Sequence, residues 1–157
     1  MSPEAHPGSE QRHPTSGAIP DKLSVSVVTP VGSLLSHDAE EVVAPGIEGE
    51  VGVLPGHIPF LTVLKPGVLR VRSGTESQVL AVGRGFLEVG VGGVKVLVDQ
   101  AAWPADINVE EAKTERTKLD EELTKLAAAA DVEASVVENL TVRRDWAQAR
   151  IDATATK

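Results

Sequence analysis

The side chains best suited to chemistry in this sequence are few and scattered. His37 beside Asp38, and His57 further on, could exchange protons near neutrality or ligate a divalent metal. Each stands alone, without the second and third ligand that a metal needs, on segments flanked by Pro and Gly that read as loops; surface or packing roles suit them better. The acid pairs Glu40-Glu41 and Glu121-Glu122 offer carboxylates for general acid and base work, but adjacent residues point in different directions on a strand or a helix, so solvated faces explain them. Gly83-Arg84-Gly85 looks like half a phosphate-binding loop, yet Glu88 stands where the third glycine of a dinucleotide fingerprint belongs and no helix follows. A turn between two strands is the better reading. Arg143, Arg144 and Arg150 are three cations near the C-terminus, with Arg143 and Arg150 on one helical face, where they could meet an acidic partner.

Stronger signatures are missing. There is no Gly-x-x-x-x-Gly-Lys-Ser/Thr loop, no His-Glu-x-x-His pair and no Gly-x-Ser-x-Gly elbow. The sequence has no cysteine, which removes thiolate nucleophiles, disulfides and cysteine metal sites and fits a reducing compartment. With Lys+Arg 15 against Asp+Glu 23, the net charge of -8 repels nucleic acid and anionic lipid. No run of about 18 apolar residues spans a membrane, so a membrane association would have to be indirect, through a partner. An enzyme with its own catalytic, metal or cofactor site is not expected.

The elements that must carry these residues fall into three stretches. Residues 1–21 contain Pro3, Pro7, Pro14 and Pro20 with interspersed Gly and Ser and almost nothing large and apolar, and read as a disordered leader. An organellar transit peptide would be Arg-rich and acid-poor, whereas this segment has Arg12 beside Glu4 and Glu10. Residues 22–102 are short Val- and Leu-rich runs punctuated by Gly and Pro, which predicts a β sandwich of about ten short strands. Strands are expected at 24–28, 34–35, 41–44, 50–54, 60–64, 67–72, 77–82, 85–89 and 94–99. Arg70 and Arg72 alternate with Leu69 and Val71, so that strand wets one face, whereas 94–98 is polar only at Lys95 and belongs nearer the centre. Gly92-Gly93 suits a tight hairpin turn before it.

Residues 103–157 change grammar: beyond Asn108 there is neither Gly nor Pro, and the apolar spacing becomes helical. Asn108 is placed to cap a helix, with Glu111 three residues on, and Glu110 and Glu111 put negative charge in its first turn. Val109, Ala112, Leu119, Leu123, Leu126 and Ala130 form one stripe, interrupted at Arg116; Val132, Val136, Leu140, Ala147 and Ile151 form a second, with Asp131 stopping the first helix and capping the next. A C-terminal antiparallel α-helical hairpin is the expected result.

Several spaced segments carry a family resemblance. Gly49-Glu50-Val51-Gly52-Val53-Leu54-Pro55-Gly56-His57-Ile58-Pro59-Phe60-Leu61, continued by Leu64-Lys65-Pro66-Gly67, by Gly85-Phe86-Leu87-Glu88-Val89 and by the strand Val94 to Asp99, resembles the epsilon subunits of rotary F-type ATP synthases. The match covers the strand region; the leader lies outside it and the hairpin matches in layout more than in residues. The resemblance implies a non-catalytic rotor subunit that binds the gamma subunit in the central stalk, rests on the ring of c subunits, and couples ring rotation to gamma during proton-driven ATP synthesis. It implies that Ser36, His37, Asp38 and His57 lie at the sandwich end facing the c ring. The hairpin would reach the alpha and beta catalytic subunits when extended and restrain ATP hydrolysis, with Arg143, Arg144 and Arg150 as possible regulatory contacts. The location implied is the cytoplasmic face of a bacterial plasma (inner) membrane, with an organelle less favoured.

Some members of that family hold ATP through Ile/Leu-Asp-x-x-Arg-Ala, and the aligned stretch here is Ile107-Asn108-Val109-Glu110-Glu111-Ala112. Asn108 replaces the acid and Glu111 the guanidinium, reversing the charge that phosphate needs, so no ATP cofactor is expected. The rival reading is a stand-alone binding module, but ligand-binding sandwiches want aromatic platforms, and two Trp, two Phe and no Tyr offer little.

Overall fold

In the computed structural model, residues 20–91 and 93–156 are described. The leader expected over 1–21 lies, up to residue 19, outside them, as does Gly92 of the expected hairpin turn. Ten strands are followed by two helices: β1 Leu23–Thr29, β2 Gly32–Ala39, β3 Glu41–Gly46, β4 Gly49–Val53, β5 Phe60–Leu64, β6 Gly67–Ser73, β7 Glu76–Val82, β8 Gly85–Gly90, β9 Gly93–Val98, β10 Ala101–Ala102, α1 Val109–Ala127 and α2 Ala134–Ala155. A 3-10 turn at Pro104–Asp106 makes the join. The strands pair in the order β10-β7-β6-β3-β5-β8-β9-β1-β2, with β4 on β3. β3 belongs to both layers of the sandwich, since Glu41 to Val43 pair with β6 while Gly46 sits opposite Leu64 of β5.

Between the layers lie the inward-facing residues of alternating strands. Leu69, Val71, Leu80 and Val82 come from one layer; Val25, Val27, Leu64, Leu87, Val89, Val94, Val96 and Val98 come from the other, all buried in one cluster. Burying side chains of this size stabilises the fold by about 2 kcal/mol each, which makes the sandwich the main source of stability. β9 lies between β8 and β1, as its apolar composition predicts. Leu69 and Val71 are buried, while Arg70 and Arg72 turn outward to Glu50 and to the pair Glu40 and Glu41.

β7 departs from simple alternation. Val79, Leu80, Ala81 and Val82 are all buried because α2 covers the outer face of β6 and β7. Ala153 of α2 packs with Val79 and Ala81, flanked by Val68, Ile107 and Trp146. α1 in turn packs chiefly on α2, forming an outer layer of the hairpin. Asn108 caps α1 as expected, its side-chain oxygen accepting from Glu111 N at 3.2 Å.

The second helix corrects two expectations. α1 ends at Ala127, with Ala128 as its C-cap, four residues before Asp131, which sits in the connection at φ 62°; and the residue preceding α2 is Glu133, which makes no side-chain cap. The buried positions of α2 are Leu140, Ala147, Ala149 and Ala153, while Val136 is exposed and Val132 and Ile151 only half-buried. The helix is clamped on two sides, by α1 and by the sheet, so small residues occupy positions that a one-sided stripe would give to large ones.

Candidate functional site

Chain direction gathers a set of segments at one end of the sandwich. The end of β2, the β4–β5 connection, the β6–β7 turn and the β8–β9 turn all lie there. The pairings that fix this are Leu23 opposite Ala39, Val42 opposite Val53 and Val71, Phe60 opposite Val89, and Ser24 opposite Gly93. His37, Asp38 and His57 therefore lie toward one end of the molecule, with Ser36 one residue further from that end, opposite Ser26 of β1. The β4–β5 connection is held by His57 N donating to Leu54 O at 3.1 Å, with Gly56 at φ 81°, a conformation that favours glycine. His57 Nδ1 donates to Ile58 O at 2.9 Å and its ring lies 4.9 Å from that of Phe60. Leu54, Ile58 and Val91 are exposed, Ile58 at 75%. The end is thus an apolar rim on a short, internally bonded turn.

Ser36, His37 and Asp38 are not the loop expected from sequence: they lie inside β2, and all three are exposed. β2 pairs with β1 on one side and ends the strand order, so its rim residues are uncovered even where alternation turns them inward. His37 shares a face with buried Leu35 and Ala39, and its Nε2 meets Gln78 Oε1 of β7 while Nδ1 meets Asp38 O at 2.9 Å. These two acceptors, the Asp38 carbonyl first, raise the His37 pKa above its ordinary value because they favour the doubly protonated ring. The interaction bridges the two layers of the sandwich. Glu40 and Glu41 also depart from expectation, since both reach one guanidinium, Arg72 Nη1 at 2.9 Å and Nε at 3.1 Å; Glu40 sits at the bend between β2 and β3, which brings adjacent side chains to one side.

A second surface lies on the outer face of β5, β8 and β9, on the layer that α2 does not cover. Leu61, Val63, Phe86 and Leu97 alternate with buried or half-buried neighbours and are exposed, Leu61 at 65% and Phe86 at 49%; Val63 pairs with Phe86 and Phe86 with Leu97, which makes a continuous apolar strip. Ile47, exposed on the β3–β4 turn, extends it around a cavity of about 400 Å³. Apolar patches on a scale like this mark contact surfaces. Sequence reasoning missed this face, although Phe86 alternating with Leu87 was a signal for it.

The arginines are distributed unevenly. Arg144 Nε pairs with Asp120 Oδ1 at 2.8 Å and Nη1 with Asp145 at 3.2 Å, and Arg150 Nη2 pairs with Glu115 Oε2 at 2.5 Å, so both are engaged across or along the hairpin. Arg143 is exposed on a groove of about 530 Å³ between α1 and α2. That groove includes the aligned nucleotide stretch, and its charged lining is Glu110, Glu111, Glu115 and Glu122 against Lys118 and Arg143. Asn108, also in the lining, already spends its oxygen on the helix cap. Such a lining opposes phosphate. Among the described residues there is no cluster of three or more His, Cys, Asp or Glu that could hold a metal, and no helix is long and apolar enough to cross a membrane.

Comparison with known proteins matches residues 22–104 to the family model described as ATP synthase, Delta/Epsilon chain, beta-sandwich domain. A Brevibacillus brevis protein named ATP synthase epsilon chain is 40% identical over 111 residues, covering 70% of this chain and 84% of that one. A Gloeothece citriformis protein of the same name is 36% identical over 128 residues, covering 82% and 90%. Among solved structures, a chain of the Euglena gracilis mitochondrial ATP synthase (OSCP/F1/c-ring) superposes with TM-score 0.74 over 99% of this chain and 97% of that one, at 19% identity, a likeness of fold.

Proposed function

We propose, from the premise that the chain belongs to the ATP synthase epsilon family, that it is a central-stalk rotor subunit, non-catalytic itself, coupling c-ring rotation to gamma during proton-driven ATP synthesis. The observation that carries this reading is the division of the sandwich surface. One outer face is covered by α2, the other exposes Leu61, Val63, Phe86 and Leu97, and the end between them presents Leu54, Ile58 and Val91. Two separate apolar surfaces on one compact body suit a part that touches two neighbours at once. In this reading the strip on β5, β8 and β9 takes gamma, and the rim with Ser36, His37, Asp38 and His57 takes the c ring. A short turn fixed by Pro55, Pro59 and its own hydrogen bond resists deformation, which a torque-bearing contact requires.

The hairpin supplies the regulatory part of the proposal: released from the sheet, it would reach the alpha and beta subunits and restrain hydrolysis. Its sandwich contact is one small cluster, Ala153 and a half-buried Trp146 of α2 against Val79, Ala81 and Val68, which keeps docking reversible. The subunit would sit peripherally on the cytoplasmic face of a bacterial plasma membrane, held there by its partners.

Co-purification with gamma tests the leading claim. A stable one-to-one complex is expected, lost in Phe86→Glu with the fold intact by circular dichroism; retention of gamma by that variant would move the docking site elsewhere. Deleting residues 108–157 is expected to leave assembly intact and raise ATPase activity in the reconstituted complex. Unchanged activity would remove the inhibitory role and leave the rotor role standing.

A further inference from the structure

The two helices of the hairpin are attached by different kinds of contact. Toward the sheet, α2 is apolar: Ala149 and Ala153 are buried, and Ala153 lies in the cluster with Val79, Ala81, Val68, Ile107 and Trp146. The ion pair on that side, Arg84 Nη1 to Glu138 Oε1, is long at 3.8 Å and exposed on both partners. Toward α1, the buried set is thin, Ala112 and Leu119 facing a stripe of Leu140 and Ala147. Polar contacts fill the remainder of that seam: Arg144 with Asp120, Arg150 with Glu115, and Arg116 Nη1 donating to Gln148 Oε1 at 3.0 Å. Arg116, where the first apolar stripe breaks, is therefore part of the seam and not a gap in it.

We infer that the hairpin comes apart in layers, before any release from the sheet: α1 lifts off α2 while α2 is still docked, and the ion pairs Arg144–Asp120 and Arg150–Glu115 set how readily this first step happens. Salt discriminates the two seams. Side-chain exposures of 36% and 45% for Arg144 and Asp120, and of 19% and 38% for Arg150 and Glu115, leave both pairs within reach of counterions, whereas an apolar seam does not weaken as ionic strength rises. A helix released from its only large neighbour is marginal in water and unfolds, so its amides report the event. Release of α1 also uncovers Arg144 and Arg150 beside Arg143, which is already exposed. Glu115 and Asp120 thus act as an internal mask over the basic side of α2.

Hydrogen exchange of the full chain tests this. Between about 0.05 M and 1 M KCl, amides of α1 are expected to exchange on the order of tenfold faster, while those of α2 from Leu140 to Ala153 and of β7 keep their rates. Asp120→Asn and Arg150→Gln should each speed α1 by up to about fivefold at low salt, and the swapped pair Asp120→Arg with Arg144→Asp should return the rate toward that of the parent chain. Three results would overturn the inference: α1 and α2 accelerating together, α1 indifferent to salt, or a charge swap no slower to exchange than the single variant.

Discussion

The sandwich and the hairpin are stabilised in different currencies. In the sandwich, eleven large side chains are all but fully buried, and most come from alternating strand positions that face across two layers. In the hairpin the buried residues are Ala112, Leu119, Leu140, Ala147, Ala149 and Ala153, only two of them large, and charges complete the contact. The first holds by deep apolar burial; the second, in the inference drawn above, is a layer whose attachment responds to ionic strength. The proposed function, with one part fixed and another released, would be served by that difference.

The sharpest way to break this comparison is a matched pair of truncations. Leu87→Ala in the core is expected to cost about 3 to 4 kcal/mol and to unfold strands and helices together in a denaturant titration. Gly85→Ala should cost about 2 to 3 kcal/mol, because a Cβ there meets the carbonyl of Leu97 across the β8–β9 pairing and backbone cannot yield cheaply. Leu119→Ala is expected to cost about 2 kcal/mol, and to appear as a separate loss of helix signal by circular dichroism before the sheet melts. If the Leu119 and Leu87 variants melt in the same single transition, the hairpin is not a separate layer. Asn108→Ala, which removes the cap of α1, should cost about 1 kcal/mol in the same helix signal.

The smallest effect concerns pH. His37 has a raised pKa in the folded chain, so its contribution is fully present below the ordinary histidine value and is lost as pH rises through the folded value. The parent chain should therefore lose a little stability on going from mildly acid to mildly alkaline solution, a small effect because the exposed ring is screened by solvent, and His37→Gln should flatten that step. A step that survives in the variant assigns it to another group. In the groove between the helices, titration calorimetry with millimolar Mg-ATP is expected to show no saturable heat; micromolar binding would mean that its four carboxylates do not decide the charge there.

Much of the fold was legible in the sequence because the responsible forces are local and periodic. β5 ends where its Gly and Pro neighbours say it should, Asn108 caps the helix it precedes, and Leu69 and Val71 point inward against Arg70 and Arg72. His37, Asp38 and His57 do share one end of the sandwich, His57 on a turn as expected and His37 and Asp38 on a strand in place of a loop. The exposed strip on β5, β8 and β9 was not foreseen. Whether an outward Phe86 or Leu61 is bare or covered depends on where the hairpin lies, and periodicity does not report that.

What the sequence by itself determined is the class of the strand and helix regions, the Asn108 cap of α1, and the family, since these follow from residue types at short separations. Tertiary structure alone decided the covering of β7 by α2, the meeting of Glu40 and Glu41 at Arg72, and the capture of Arg144 and Arg150 by acids of α1. Each of these joins positions distant along the chain or bent at a corner, and an arginine's partner is fixed by which charge the packed elements bring within reach.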